Sequence, residues 1–390
     1  MSKEKRLVPE LRFSEFDGEW KHLRLSDVTT RVTRKNKNLE TDLPLTISAE
    51  YGLVDQSDFF NRYVASKDMS GYYLLKKGEF AYNKSYSNGN PWGVVRRLTK
   101  YDQGALSSLY ICFSANGGFD PDFIEKYFQS NVWHKEVSMI AVEGARNHGL
   151  LNVSVNEFFE TLHYLPSYNE QKKIATFLSL IDNKIELLEK KVELLEEQKR
   201  GLLQKIFSQE IRFKKDDGSE YKKWKTKRLN EIVDYQSSNL SQNMLNDISK
   251  DDYEVYGANG VVGTFKTYSF DKHYITIIKD GAGVGRIQKC KPYTSAIGTL
   301  GIILNNEESN IDFVYYLMQM IDFTKYVVGS TIPHVYFKDY GKINMDIPTL
   351  EEQSYIADFF NKHDLFIDST RNKLEKTNQL KNGLLHELFL

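Results

Sequence analysis

Residues 165–182 read LPSYNEQKKIATFLSLID, and residues 347–364 read IPTLEEQSYIADFFNKHD, the same pattern displaced by a constant 182 positions. Under that offset Pro166 meets Pro348, Glu170 meets Glu352, Gln171 meets Gln353, Ile174 meets Ile356, Phe177 meets Phe359 and Asp182 meets Asp364. The register survives without a gap to Gly201-Leu202-Leu203 and Phe207 against Gly383-Leu384-Leu385 and Phe389. A weaker echo precedes each copy, where Glu10-Leu11-Arg12-Phe13 with Gly18 returns as Glu210-Ile211-Arg212-Phe213 with Gly218. A fixed-period repeat is read before any local feature, because it decides the architecture. The chain is one unit written twice.

The repeated segment is helical by its periodicity. Alternating steps of four and three from Ile174 reach Leu178, Ile181, Ile185, Leu188, Val192, Leu195, Lys199, Leu202 and Ile206, with Lys199 the one polar member. That is a heptad seam of the coiled-coil kind, and no proline interrupts it. Pro166 and Asn169 suit a helix start, and the helix should run on the order of 55 Å. The second copy keeps Ile356, Phe360, Ile367, Leu374, Leu384 and Leu388 on its seam but mixes in His363, Thr370, Thr377 and Lys381. Such a helix is expected to need the first as its antiparallel partner. The Glu-Gln-Lys triplets at Glu170 and Glu197 read as solvated helix charges.

These segments divide the chain into residues 1–165, a first variable domain; 166–210, a first helix; 211–347, a second variable domain; and 348–390, a second helix. Length alone asks for more than one domain. The variable domains read as mixed α and β, so the fold class is α+β with internal pseudo-two-fold duplication. In the second domain Tyr274-Ile275-Thr276-Ile277-Ile278 is a β-branched run, Asp280 to Arg286 is glycine-rich, and 300–304 is another strand. Helical stretches are expected over 120–139 and 311–326. The domains end alike, at Gly144-Ala145-Arg146-Asn147-His148 and Gly329-Ser330-Thr331-Ile332-Pro333-His334.

Composition narrows the class. With 41% hydrophobic and 27% charged residues the balance is globular, and no run approaches the roughly 20 apolar residues of a membrane span. The opening MSKEKRLVPE has no apolar signal core, which points to the cytoplasm. Cys112 and Cys290 read as free thiols there. The formal net charge of −1 means that any nucleic-acid surface must be a local cluster of cations.

Enzymatic motifs fail on inspection. Asn90-Pro91-Trp92-Gly93 lacks the second proline of an adenine-methyltransferase loop, and no glycine-rich cofactor loop precedes it. Gly281-Ala282-Gly283-Val284-Gly285 follows a strand, but the strand-like Ile287-Gln288-Lys289-Cys290 comes next, where a phosphate cradle needs a helix. The eight histidines offer no metal-spaced pair. No catalytic residue and no metal site are expected.

Two dissimilar domains alternating with two similar heptad helices, and above all the paired starts Pro166-Ser167-Tyr168-Asn169-Glu170-Gln171 and Pro348-Thr349-Leu350-Glu351-Glu352-Gln353, resemble the specificity subunit of type I restriction-modification enzymes. The resemblance implies that each variable domain is a target-recognition domain reading half of a split double-stranded DNA site, with the helices as spacer. It implies two modification subunits that bind S-adenosylmethionine and methylate adenine, and motor-nuclease subunits with ATP and Mg; this chain itself would bind no cofactor. The alternatives are a coiled-coil adaptor without DNA specificity and a stand-alone DNA methyltransferase. By chemistry, Arg reads guanine, Asn and Gln read adenine, and Lys, Ser, Thr and Tyr hold phosphates. The loop candidates are Arg31, Arg34, Lys35, Lys84, Tyr86, Asn88, Asn90, Arg146 and Asn147 in the first domain. In the second they are Asn259, Lys279, Arg286, Ser330, Thr331, His334, Tyr336 and Lys338.

Overall fold

The computed structural model describes all residues except 1–6, 63, 87–88, 142–150, 248 and 250. Its packing divides into two units, one built from the chain up to Leu188 with Lys373–Leu390, the other from Glu189–Asn372. The long helices Tyr168–Phe207 and Leu350–Glu387 each contribute one half to each unit. Asn88, Arg146 and Asn147 fall outside the described residues.

In the first unit an antiparallel sheet has the order Thr29–Arg31, Ile111–Ala115, Phe80–Asn83, Val94–Arg97. A second sheet has the order Gly52–Asp55, Pro44–Ser48, Gln103–Leu106, Tyr73–Lys76, with one parallel pairing between Pro44–Ser48 and Gln103–Leu106. The ribbon of Lys21–Arg24 with Leu162–Leu165 delivers the chain to the first long helix. Aromatic side chains Phe80, Tyr82, Phe113, Phe123 and Trp133 form the core, and Ile174, Leu178, Ile181 and Ile185 join it from that helix. Leu384, Leu385, Leu388 and Phe389 enter the same core from the end of the second long helix.

The second unit repeats the plan. Its main sheet has the order Val233–Ser237, Leu300–Asn305, Tyr274–Ile278, Ile287–Cys290. Beside it, Gly260–Phe265, Tyr253–Gly257 and Ser295–Ala296 again include a single parallel pairing. The ribbon Lys225–Arg228 with Asn344–Ile347 leads to the second long helix. Leu203 and Ile206 from one long helix and Ile356, Ala357 and Phe360 from the other pack on Ile275, Ile277, Ile303 and Phe313. Mixed α and β, two sheet-rich domains and a pair of long helices are what the repeat required.

Several expectations are refined. The stretch 120–139 is two helices, Pro121–Gln129 and His134–Ile140, because Ser130 bonds back to Tyr127 O and breaks the run. The stretch 311–326 is the helix Ile311–Met318 followed by a separate 3₁₀ turn, Phe323–Tyr326, capped by Asp322. The first long helix begins at Tyr168, so Asn169 lies inside its first turn, and Ser167 O accepts the opening bond from Gln171 N. Cys112 and Cys290 are buried free thiols.

The larger correction concerns Glu170. It is no solvated charge: only 1% of it is exposed, as for its counterpart Glu352. Arg12 grips Glu170 with two bonds of 2.8 Å, from Nε and Nη2, and Trp20 Nε1 adds a third at 3.3 Å. Arg212 Nη2 reaches Glu352 Oε2 at 2.8 Å. The neighbouring glutamines act in parallel. Gln171 Oε1 accepts from Asp120 N and its Nε2 donates to Pro166 O, while Gln353 Oε1 accepts from Asn310 N and its Nε2 donates to Pro348 O. The repeated Arg-Phe arm, the repeated Glu-Gln and the cap of a domain helix therefore form one knot, built twice. Glu197, by contrast, is exposed.

The polar positions of the helical seam are also satisfied. Thr370 and Thr377 are buried and turn their hydroxyls back to Phe366 O and Lys373 O. Lys381 pairs with Asp182 at 2.7 Å in the first unit, and Lys199 pairs with Asp364 at 2.5 Å in the second. Under the constant offset of the repeat, Asp182 matches Asp364 and Lys199 matches Lys381, so these are the same pair in exchanged roles. Both run between antiparallel helix halves within one unit. Asp182 also takes Lys126 from the helix Pro121–Gln129, and Asp364 accepts from Tyr316 OH of Ile311–Met318 at 2.7 Å. Among the apolar seam residues Leu188, Val192, Leu195, Leu202 and Leu374 are half-buried, and the others are buried.

Two outcomes follow. Arg212→Ala strands a buried carboxylate, a loss on the order of 3 kcal/mol, and adding Glu352→Gln should return part of it; denaturant unfolding checks both. A loss within about 0.5 kcal/mol, the level of an ordinary surface change, would contradict the knot. Burial by itself raises the Asp182 carboxyl, but the ammonium groups of Lys126 and Lys381 outweigh it and hold Asp182 below its ordinary 3.8. Its ionised form therefore stabilises the fold fully above about pH 4, and that contribution fades as pH falls through the lower folded value. Asp182→Asn should be less stable than the parent at neutral pH, with the gap closing in acid.

Candidate nucleic-acid interface

The second domain carries a cleft of about 480 Å³ lined by Tyr235, Lys279, Asp280, His334, Val335, Tyr336, Phe337 and Lys338. Its walls come from distant parts of the sequence. Tyr235 lies on the strand Val233–Ser237 and stacks on Phe337 at 4.6 Å, while Lys279 and Asp280 follow directly on Tyr274–Ile278. The segment from Val328 to Tyr336 is laced beside them: His334 N donates to Val328 O, Gly281 N to Pro333 O, and Val335 N to Lys279 O. The rings of His334 and Tyr336 lie nearly parallel, 6.1 Å apart. Tyr336 is 46% exposed, and Lys338 Nζ stands 5.4 Å from its ring centre.

The glycine-rich turn explains how this loop stays close to the sheet. Gly281, Gly283 and Gly285 all have φ near +80°, where a Cβ is strained. At Gly285 a Cβ would also stand 2.6 Å from the Phe323 Cβ. The turn returns the chain into the strand Ile287–Cys290, so no helix amino terminus is available to cradle a phosphate there.

Four sequence candidates, Lys279, His334, Tyr336 and Lys338, thus meet in one cleft. Lys279 Nζ donates to Gly298 O at 2.8 Å, which makes it partly a strut. Asn259 and Arg286 line a neighbouring cavity of about 400 Å³ with Gln288 and Lys289, and Arg286 Nη2 donates to Asn259 Oδ1 at 2.7 Å. Ser330 and Thr331 are exposed on the loop between Val328 and His334. Sequence reading missed Asp280 and Tyr235, whose place at the cleft follows from pairing across the sheet.

The first domain is less concentrated. Arg34 is engaged by Glu79 through two bonds of 2.8 and 2.7 Å, and Lys35 Nζ donates to Gly71 O and covers the Tyr73 ring at 3.7 Å. Lys84 Nζ donates to Val153 O, and burial lowers its pKa from the ordinary lysine value. These three are therefore structural supports as much as ligands. Arg31 and Tyr86 are exposed, and Asn90 is half-buried in the turn that its carbonyl closes with Gly93 N. That turn joins Phe80–Asn83 to Val94–Arg97. Among the described residues, no group of three or more His, Cys, Asp and Glu side chains is arranged to hold a metal ion. No helix among them is long and apolar enough to cross a membrane.

The fold agrees with that of similar proteins. Residues 221–379 match the family model of the type I restriction modification DNA specificity domain. The chain is 26% identical over 117 residues to the type I restriction enzyme EcoprrI specificity subunit of Escherichia coli, covering 30% of this chain and 29% of that one. It is 26% identical over 268 residues to the MjaVIII specificity subunit of Methanocaldococcus jannaschii, covering 58% and 60%. Each match spans less than two thirds of the relative's own length. In fold, the crystal structure of the type I restriction-modification S subunit from M. genitalium superposes with a TM-score of 0.61 at 18% identity, over 98% of this chain and 99% of that one. A chain from a structure on complex assembly and conformational transition of the type I R-M system reaches 0.53 at 14%, covering 95% and 97%. Residues 221–379 are thus similar to the type I specificity domain. The resemblance to type I specificity subunits, drawn from the paired helix starts, is shown.

The cleft generates one measurable outcome. Lys338→Ala should weaken DNA binding about equally for all sequences and reduce the slope of log affinity against log salt by roughly 0.9. An unchanged slope would remove Lys338 from the phosphate contacts.

Proposed function

We propose that the chain is the sequence-specific DNA-binding subunit of a type I restriction-modification complex, each domain reading one half of a bipartite double-stranded target. The observation that carries this reading is the duplicated domain: the same strand order in the main sheet, the same ribbon and the same helix knot, but different loop sequences between them. A protein that reads two unlike half-sites needs that combination, one scaffold presented twice with separate reading surfaces. The domain match over residues 221–379 supports it.

In this reading the chain has no catalytic centre of its own and acts in the cytoplasm. Methyl transfer to adenine belongs to two modification subunits that bind S-adenosylmethionine, and cleavage to motor-nuclease subunits that use ATP and Mg. The long helices serve as the spacer between half-sites and as part of the platform for those subunits. Modularity is the direct consequence. Replacing residues 1–165 with the corresponding domain of another specificity subunit should change one half of the methylated motif and leave the other half and the spacer unchanged. Sequencing the methylated sites of the reconstituted complex decides it, and a motif altered in both halves would overturn the reading.

A further inference from the structure

The geometry points to Asp280 as the residue that specifies a C·G pair in the second half-site, by accepting a hydrogen bond from the cytosine N4 amino group. This rests on the DNA-reading function proposed above. A carboxylate has no obvious place in a cleft whose other polar side chains, Lys279, His334 and Lys338, suit phosphate. It repels the backbone of DNA, so it belongs there either as a structural cap or as an acceptor for a base donor.

The structure argues against the cap. Four amides of the glycine-rich turn go to main-chain oxygens, Gly281 N to Pro333 O, Val284 N to Gly281 O, Gly285 N to Ile278 O and Arg286 N to Gly283 O, and the Asp280 side chain caps none of the turn's amides. The Asp280 carboxylate accepts no hydrogen bond among the described residues. The ring nitrogen His334 Nδ1 is 3.8 Å away, too far for one. Its side chain lines the cleft and is 41% exposed. The acceptor is held in place by its main chain and left available.

A second observation comes from the duplication. Lys84 follows the strand Phe80–Asn83 as Lys279 follows Tyr274–Ile278, and each lysine carbonyl accepts one amide of the returning segment, from Leu151 N and Val335 N respectively. The next residue is Ser85 in one domain and Asp280 in the other. At one point of a common scaffold the two domains thus present different hydrogen-bonding chemistry, as residues that set different half-sites must.

The choice of base follows from the acceptor. In the major groove cytosine offers only its N4 donor, whereas adenine sets the N7 acceptor beside its N6 donor and so favours the amide of Asn or Gln. A carboxylate, which only accepts, fits cytosine.

The test uses the complete complex with its modification subunits. Sequencing of methylated genomic DNA first gives the parent motif; absence of any specific motif would defeat the DNA-reading proposal itself. With a motif in hand, Asp280→Asn is expected to relax one C·G position of the second half-site by roughly tenfold to a hundredfold, with every other position and the first half-site retained. Retention of the full parent motif by Asp280→Asn would overturn the assignment. Should that variant methylate nothing, the parent complex still answers. Duplexes carrying N4-methylcytosine, singly, at each cytosine of the second half-site should lose affinity at one position, and equal binding to all of them would overturn the assignment.

Discussion

Two buried carboxylates hold this architecture to its repeat. Glu170 and Glu352 have left water almost completely, a step that costs several kcal/mol per ion unless a partner with good geometry meets them. Arg12 and Arg212 meet them, and the forked guanidinium brings the arm before each domain against the helix that follows it. Gln171 and Gln353 extend the same constraint to the helices capped by Asp120 and Asn310. The entry arm, domain helix and long helix are thus fastened at one point in each copy. Everything further out, including the sheets that carry the loops, is positioned from there.

Much of this was legible in the sequence because it is local or periodic. The heptad seam from Ile174 to Ile206 and its copy from Ile356 identify the helices from spacing alone, and the shared offset identifies the duplication. What could not be read was partnership across long separations. Glu170 looks like any helix glutamate until Arg12, 158 positions earlier, is seen beside it. The lysines of the seam were similarly opaque. Lys199 and Lys381 appeared as flaws in an apolar stripe, yet each finds the aspartate of the opposite repeat.

The candidate surface was legible in kind and less so in place. Residue chemistry selected Lys279, His334, Tyr336 and Lys338, which sheet pairing then gathers into one cleft. The same chemistry selected Arg34 and Lys35, which the fold commits to Glu79 and to Gly71 and Tyr73. A charged side chain looks alike in sequence whether it faces DNA or its own domain. Asp280 was passed over because a rule that seeks cations for DNA does not look for an acceptor.

The exchanged pairs Asp182–Lys381 and Asp364–Lys199 bear on how such a gene can change. Each repeat carries one aspartate and one lysine, so each is complementary to a copy of itself. Recombination that overwrites one helical repeat with the other would leave both bridges standing, and the domains between them could be exchanged without re-matching the helices. Self-complementarity of the repeated helices leaves the domains between them free to diverge.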